Sequence, residues 1–206
     1  MKAKAAAVAA LAICMMTAGC ATSSSSSSST VRASNRAHAN ASVLADAYRP
    51  YHEERWAEGG AAVTPAEVET MLANHNPQQV VNALYGTGEN SRWDTVASGI
   101  ANGDPAWLAL AVRLSEGTDA GTSDDFAIAV GDALTTNTTG ALRLMSQIEM
   151  GSGACTENGF EVPHKQALAF YEAALATVET VDDPALKSIK DACIAELWKG
   201  LGTIAP

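Results

Sequence analysis

Basic residues are scarce in this chain, which carries 13 Lys and Arg against 23 Asp and Glu, a formal net charge of −10. Proteins that bind nucleic acids neutralise phosphates with a basic surface, so this balance disfavours DNA or RNA as a partner. The motifs of common enzymes are missing too, since the sequence contains no HExxH, GxSxG, SxxK or Walker-type loop. We therefore predict no catalytic residues, no metal site and no cofactor.

Long hydrophobic runs are also absent. The most apolar segment, "MKAKAAAVAALAICMMTAGC" at residues 1–20, has a basic start at Lys2 and Lys4 and a short apolar stretch that ends in small residues. An apolar stretch this short cannot span a bilayer. A basic start, a short apolar region and small residues before a cleavage site are typical of a secretory signal peptide.

The last residues of this segment, Thr17-Ala18-Gly19-Cys20, resemble the lipobox of bacterial lipoproteins, although that family prefers Leu where Thr17 stands. The resemblance implies cleavage before Cys20 and attachment of lipid to this cysteine, which leaves residues 1–19 as the signal peptide. Ala21, rather than Asp, follows the cysteine, and in the family this implies an outer-membrane anchor with the domain in the periplasm. The alternative is an ordinary cleaved signal in which Cys20 is present by chance.

A run of almost pure Ser follows the predicted lipidation site, from residue 21 to residue 30. Such a polar run cannot bury apolar surface, so we expect it to be a disordered tether. Residues 20–32 are therefore assigned to the lipidated Cys20 and the tether. Periodic apolar residues dominate the rest of the chain, and we expect residues 33–206 to form a single helical domain.

Cysteines are few, and only Cys155 and Cys193 lie in the predicted domain. In an oxidising periplasm these two should form a disulfide. The bridge would close a loop of 193 − 155 = 38 residue steps, which the chain-entropy model values at roughly 4 kcal/mol. The alternative is a reactive thiol or a metal ligand, but neither cysteine has a CxxC partner and no nearby His completes a metal set.

Prolines and glycines mark where helices begin and end. A side chain able to cap a helix precedes Pro at four places, which predicts four helix starts at Thr64-Pro65, Asn76-Pro77, Asp104-Pro105 and Asp183-Pro184. Glycines stand where a left-handed residue would end a helix. They are Gly86, Gly103, Gly117, Gly151, and Gly200 or Gly202.

Between these signals, apolar residues recur with helical spacing. Trp93 and Trp107 each begin a stripe at i, i+3, i+4 and i+7 that ends in Gly at i+10, the pattern of a short amphipathic helix. We predict that both Trp residues lie in the core, with a paired ligand-binding role as the alternative. The fold class predicted is all-α, either a compact multi-helix orthogonal bundle or a short stack that loosely resembles HEAT repeats, with one disulfide.

Aromatic residues make up 5% of the chain, yet several crowd into "AYRPYHEERWAEGG" at residues 47–60. Tyr, Trp and Arg are enriched at interface hot spots, so Tyr48, Tyr51, Arg55 and Trp56 are predicted partner-binding residues. The alternative is that they cover the end of the helical assembly. Pro50 is expected to bend or end the first helix.

Two further groups of polar residues contain side chains that could bind a metal ion or a charged partner. His52, Glu53 and Glu54 are adjacent on a helix and point in different directions, so we expect a solvated charged face rather than a metal site. The acidic loop around Asp119, Asp124 and Asp125 could attract a cation or a basic partner, but helix capping explains it equally well.

These observations predict an anchored protein that works by protein contact and not by catalysis, as an accessory or interaction module of the cell envelope. One alternative is an inhibitor or immunity protein that blocks a cell-wall-degrading enzyme, whose basic cleft would match the acidic chain. A second alternative is a wall-active enzyme of unrecognised type that uses Asp124 or Asp125 with a distant Glu.

Overall fold

The computed structural model describes residues 26–56, 61–86, 91–156 and 162–204, and in these ranges the chain forms nine α-helices and no strand. The predicted all-α class is confirmed. The predicted signal peptide, the lipobox and Cys20 lie outside the described residues. Within the described part of the chain, none of the helices has the length and hydropathy that crossing a membrane requires. The helices are α1 (Ser26–Trp56), α2 (Pro65–Asn74), α3 (Pro77–Tyr85), α4 (Trp93–Ala101), α5 (Pro105–Leu114), α6 (Ser123–Thr136), α7 (Thr138–Met145), α8 (His164–Glu179) and α9 (Lys187–Ile204).

The predicted Pro-headed starts are all present. Thr64 and Asn76 form complete capping boxes at the starts of α2 and α3, and the Asp104 carboxylate accepts two backbone hydrogen bonds at the start of α5. Asp183 caps a short 3-10 turn, Pro184–Leu186, that leads into α9. Because Pro at the first helical position loses no hydrogen bond, each of these pairs fixes the entry to a helix at little cost.

Helix α6 lies at the centre of the molecule, where it contacts α1, α4, α7 and α8. Eight of its 14 residues are buried, and most of these are small, which lets the neighbouring helices pack closely. The first helix packs on α8, near the other end of the chain. A linear repeat stack joins only successive units, so these long-range contacts describe a compact bundle and not a HEAT-like array.

The two Trp residues that begin apolar stripes are buried, as predicted. Trp93 is 0% exposed and its ring stacks on Phe126 of α6, with centroids 6.5 Å apart. Trp107 is 7% exposed and belongs to the same hydrophobic core. Both side chains therefore pack α4 and α5 against the rest of the bundle.

Helix α1 extends into the Ser-rich segment and past Pro50. The described part of that segment, from Ser26 onward, is in the helix, while residues 21–25 lie outside the described residues. Extending an existing helix adds one hydrogen bond per residue, and Ser costs only about 0.5 kcal/mol relative to Ala. Pro50 was expected to bend or end this helix; the helix does not end there but continues to Trp56. An interior Pro costs roughly 3 kcal/mol, and side-chain contacts on both sides of Pro50, described below, offset that cost.

Helix α9 continues past the glycines predicted to end it. Gly200 is buried inside the helix, and a Cβ at this position would lie 2.4 Å from the ring of Tyr171 on α8. The glycine is therefore needed for close packing of α8 and α9 rather than for a helix end. The predicted ends at Gly86 and Gly103 are confirmed: Gly86 directly follows α3, Gly103 follows α4 after the C-cap residue Asn102, and both adopt positive φ.

The predicted disulfide is present between Cys155 and Cys193, with Cα atoms 5.6 Å apart. Cys155 ends the 3-10 turn Gly151–Cys155, Cys193 lies in α9, and both cysteines are 0% exposed. The bridge therefore fixes the turn that follows α7 to the last helix.

We predict that replacing both cysteines with Ala lowers the free energy of unfolding by about 2–4 kcal/mol, because the unfolded chain regains the entropy of a 38-residue loop. Urea unfolding of the oxidised wild type and of Cys155→Ala/Cys193→Ala, followed by far-UV circular dichroism, measures this difference. The reduced wild type serves as control and should match the double variant. Equal stability of the oxidised and reduced proteins would contradict the prediction.

Candidate functional site

A single carboxylate, Asp132, lies at the centre of the bundle and is 0% exposed. The Tyr48 hydroxyl donates a hydrogen bond to its Oδ1 at 2.6 Å, and the Trp56 indole N–H donates one to Oδ2 at 2.6 Å. The Arg55 guanidinium lies 3.7 Å from the same Oδ2. Each carboxylate oxygen therefore has a hydrogen-bond donor, and a positive charge lies next to them. We call these four residues the Asp132 cluster.

The spacing of residues on α1 explains how this cluster forms. Tyr48, His52, Arg55 and Trp56 stand at i, i+4, i+7 and i+8, which places them on one face of a helix. That face lies against α6 and α8, where the Tyr48 ring also meets Phe170 edge-on, with centroids 5.5 Å apart. The crowding of aromatic residues in the sequence thus reflects a helix face that docks on the protein's own core.

The predicted partner-binding residues are therefore placed unequally. Tyr48 is 1% exposed, so it is a core residue and not part of an exposed contact surface. Tyr51 and Trp56 are half-buried, and the Arg55 side chain is 19% exposed. Sequence reasoning missed Asp132, although a lone acid inside the apolar run "VGDAL" of α6 was a signal for a buried polar partner.

His52 corrects another expectation, because it is 4% exposed and not on a solvated face. Its Nε2 lies 3.1 Å from the carbonyl oxygen of Ala101, the last residue of α4, and therefore donates to it. The same carbonyl accepts the Thr136 hydroxyl at 2.9 Å. The end of α4 leaves carbonyls without helical partners, and these two donors satisfy one of them. Glu53 and Glu54 are exposed, as expected.

Burial governs the electrostatics of the cluster. Removal from water raises the pKa of Asp132 above its ordinary value, and this effect outweighs the opposing hydrogen bond from Tyr48, the Arg55 charge and the hydrogen bond from Trp56. Burial, followed by the negative charge of Asp132, also raises the pKa of Tyr48. Burial thus disfavours the charged forms of Asp132 and Tyr48, and the hydrogen bonds to both oxygens of Asp132 position α1 on α6.

The acidic loop is explained by its own hydrogen bonds. Asp119 Oδ1 accepts the backbone N–H of Gly121 at 3.1 Å and the Thr122 hydroxyl at 3.2 Å, which orders the turn before α6. Burial raises the pKa of Asp125, and the neighbouring charges of Asp94 and Asp124 raise it further. Among the described residues, no group of three His, Cys, Asp or Glu side chains is arranged to hold a metal ion.

A surface groove, which the sequence did not indicate, runs along α5 and α7. It consists of two adjoining cavities of about 490 Å³ and about 370 Å³ that share Val112 and Gln147 in their walls. We call it the α5–α7 groove. The larger cavity is lined by Pro105, Leu108, Ala109, Val112, Asn137, Thr139, Gly140, Arg143, Leu144 and Gln147, and the smaller one by Val112, Ser115, Glu116, Thr118, Phe126, Gln147, Ile148, Glu149 and Met150.

The composition of the groove differs from that of the Asp132 cluster. Apolar side chains such as Leu108, Ala109 and Val112 form the floor of the larger cavity, the smaller cavity has a mixed polar and apolar lining, and Arg143, Gln147 and Glu149 at the rim are exposed. A concave surface that combines apolar area with a few polar groups is the usual form of a binding site. In comparisons with protein-family models, curated proteins and solved structures, nothing matches this chain.

We predict that Tyr48→Phe lowers the free energy of unfolding by about 1–3 kcal/mol, because it leaves Oδ1 of the buried Asp132 without a donor. Tyr51→Phe is a matched control, since the Tyr51 hydroxyl makes no hydrogen bond within the described part of the chain, and it should change stability by less than about 0.5 kcal/mol. Urea unfolding of both variants measures the effect, and equal changes would contradict it.

Asp132 should also give the protein a distinct pH dependence. Because its pKa is raised in the folded state, the folded protein binds this proton more tightly than the unfolded chain does. Its stabilising contribution is full below the unfolded pKa of about 3.9 and is lost as the pH rises through the folded pKa. The free energy of unfolding of wild type minus that of Asp132→Asn, measured by urea unfolding, should fall as the pH rises above about 4, the unfolded pKa. A difference that grows with pH would refute this assignment.

Proposed function

We propose that this chain is an outer-membrane lipoprotein, anchored by lipid on Cys20, whose helical domain lies in the periplasm and binds another envelope protein without catalysing a reaction. The anchor rests on the resemblance of Thr17-Ala18-Gly19-Cys20 to a lipobox. The disulfide between Cys155 and Cys193 supports an oxidising compartment, since such bridges are rare in the cytosol.

The observation that carries the binding function is the α5–α7 groove. Its two cavities, of about 490 and 370 Å³, lie in the size range that proteins use for ligands, roughly 300–1,000 Å³. The floor offers apolar area that a partner could cover, and the exposed rim offers amides and charges that could fix its orientation. By contrast, the oxygens of the buried Asp132 are already engaged by Tyr48 and Trp56. These contacts favour a positioning role for Asp132 over a catalytic one.

We predict that a photo-cross-linking amino acid at Gln147 captures a specific protein in the native envelope. Gln147 is exposed and lines both cavities of the groove. Glu172, exposed on α8 outside the groove, is the matched control position and should not give the same adduct. Mass spectrometry identifies the adduct, and capture of a cell-wall-degrading enzyme would favour the inhibitor function over an accessory one.

The anchor is tested in the same preparation with Cys20→Ser, which should move the protein from the membrane fraction to the soluble fraction. If neither Gln147 nor Glu172 yields an adduct, or if both yield the same set of proteins, the groove is not a binding surface. The purified protein should then be assayed on wall material as an enzyme.

A further inference from the structure

The charges around the smaller cavity of the α5–α7 groove have one sign. Glu116 and Glu149 are exposed, both line this cavity, and neither has a hydrogen-bond or ion-pair partner among the described residues. Other exposed acids do form ion pairs: Glu69, for example, pairs with Arg113. The two carboxylates therefore line the smaller cavity without an ion-pair partner among the described residues.

The opposite end of the groove does not compensate for this charge. Arg143 lines the larger cavity, but its guanidinium lies 3.2 Å from the carboxylate of Asp183 and forms an ion pair with it. The groove as a whole is thus negative, and the chain carries a net charge of −10. An acidic partner would be repelled both at long range and at the contact, whereas a basic partner would be attracted.

The floor of the groove restricts the partner further. The apolar surface lies mainly in the larger cavity, which is lined by Leu108, Ala109 and Val112, and Val112 continues into the smaller cavity that the two glutamates line. A fully charged polycation would leave this apolar surface uncovered. A segment with apolar residues on one side and Lys or Arg on the other satisfies both features, as amphipathic helices do in the grooves of helical proteins.

We propose that the α5–α7 groove binds a basic amphipathic segment of a protein partner. Apolar side chains of the segment pack on Ala109 and Val112, and its Lys or Arg side chains pair with Glu116 and Glu149. This inference rests on the proposed binding function and adds the chemical class of the partner.

The test measures binding of a labelled helical peptide of Lys and Leu, about 18 residues or five turns long, by fluorescence anisotropy. In Glu116→Lys/Glu149→Lys the dissociation constant should rise about tenfold or more, because two attractions become two repulsions. A peptide with Glu in place of Lys should show the reverse order, binding the double variant better than the wild type.

The matched control is Glu53→Lys/Glu54→Lys, which changes the net charge equally at two exposed residues of α1 outside the groove. Its dissociation constant should rise less than about threefold, since exposed charges at a distance are screened by salt. Far-UV circular dichroism and thermal unfolding establish that both variants remain folded.

Equal weakening by the two double variants would show that the peptide senses only net charge, and it would overturn the proposal. Absence of peptide binding to the wild type would also overturn it, while a specific adduct from Gln147 would still support the proposed function. Sedimentation of the wild type as a dimer that Glu116→Lys/Glu149→Lys dissociates would identify a second copy as the occupant, and would equally overturn the proposal.

Discussion

The side chain of Asp132 is the constraint on which the arrangement of helices depends, because it is an ionisable group buried in the centre of an apolar bundle. A buried carboxylate without donors would cost several kcal/mol, so α6 can occupy the centre only when donors reach it. Tyr48 and Trp56 of α1, which precede Asp132 by 84 and 76 residues in the sequence, supply them. The burial of Asp132 on α6 therefore depends on the docking of α1. It also explains why α1 continues through Pro50, since donors on both sides of the proline bind the same carboxylate.

Local features of this fold were predictable from the sequence because they depend on neighbouring residues. The caps at Thr64 and Asn76 and the turn at Gly103 are set by side chains or φ angles within a few positions, and the structure has them. The Cys155–Cys193 bridge was predictable because these are the two cysteines of the predicted domain. Trp93 and Trp107 were assigned to the core because their stripes have helical period.

The features that were missed depend on contacts between distant parts of the chain. Nothing local in "VGDAL" shows that Asp132 meets Tyr48, and the same aromatic residues on an unpaired helix would form an exposed patch. The groove depends on how α5 and α7 are placed, and neither helix contains a motif for it. Gly200 looked like a helix end because its close approach to Tyr171 belongs to the packing of α8 on α9. Sequence periodicity indicates which face of a helix is buried, but not which helix covers it.

The length of α1 has a consequence for the direction in which it leaves the bundle. The helix is already docked at Ala41, which is 5% exposed, and at Leu44, which packs on the core. From Ser26 to Ala41 it rises about 22 Å, at 1.5 Å per residue. A helix keeps one direction over such a length, whereas a flexible coil of the same number of residues does not. The direction of α1 away from the bundle is therefore set by the contacts at its docked end.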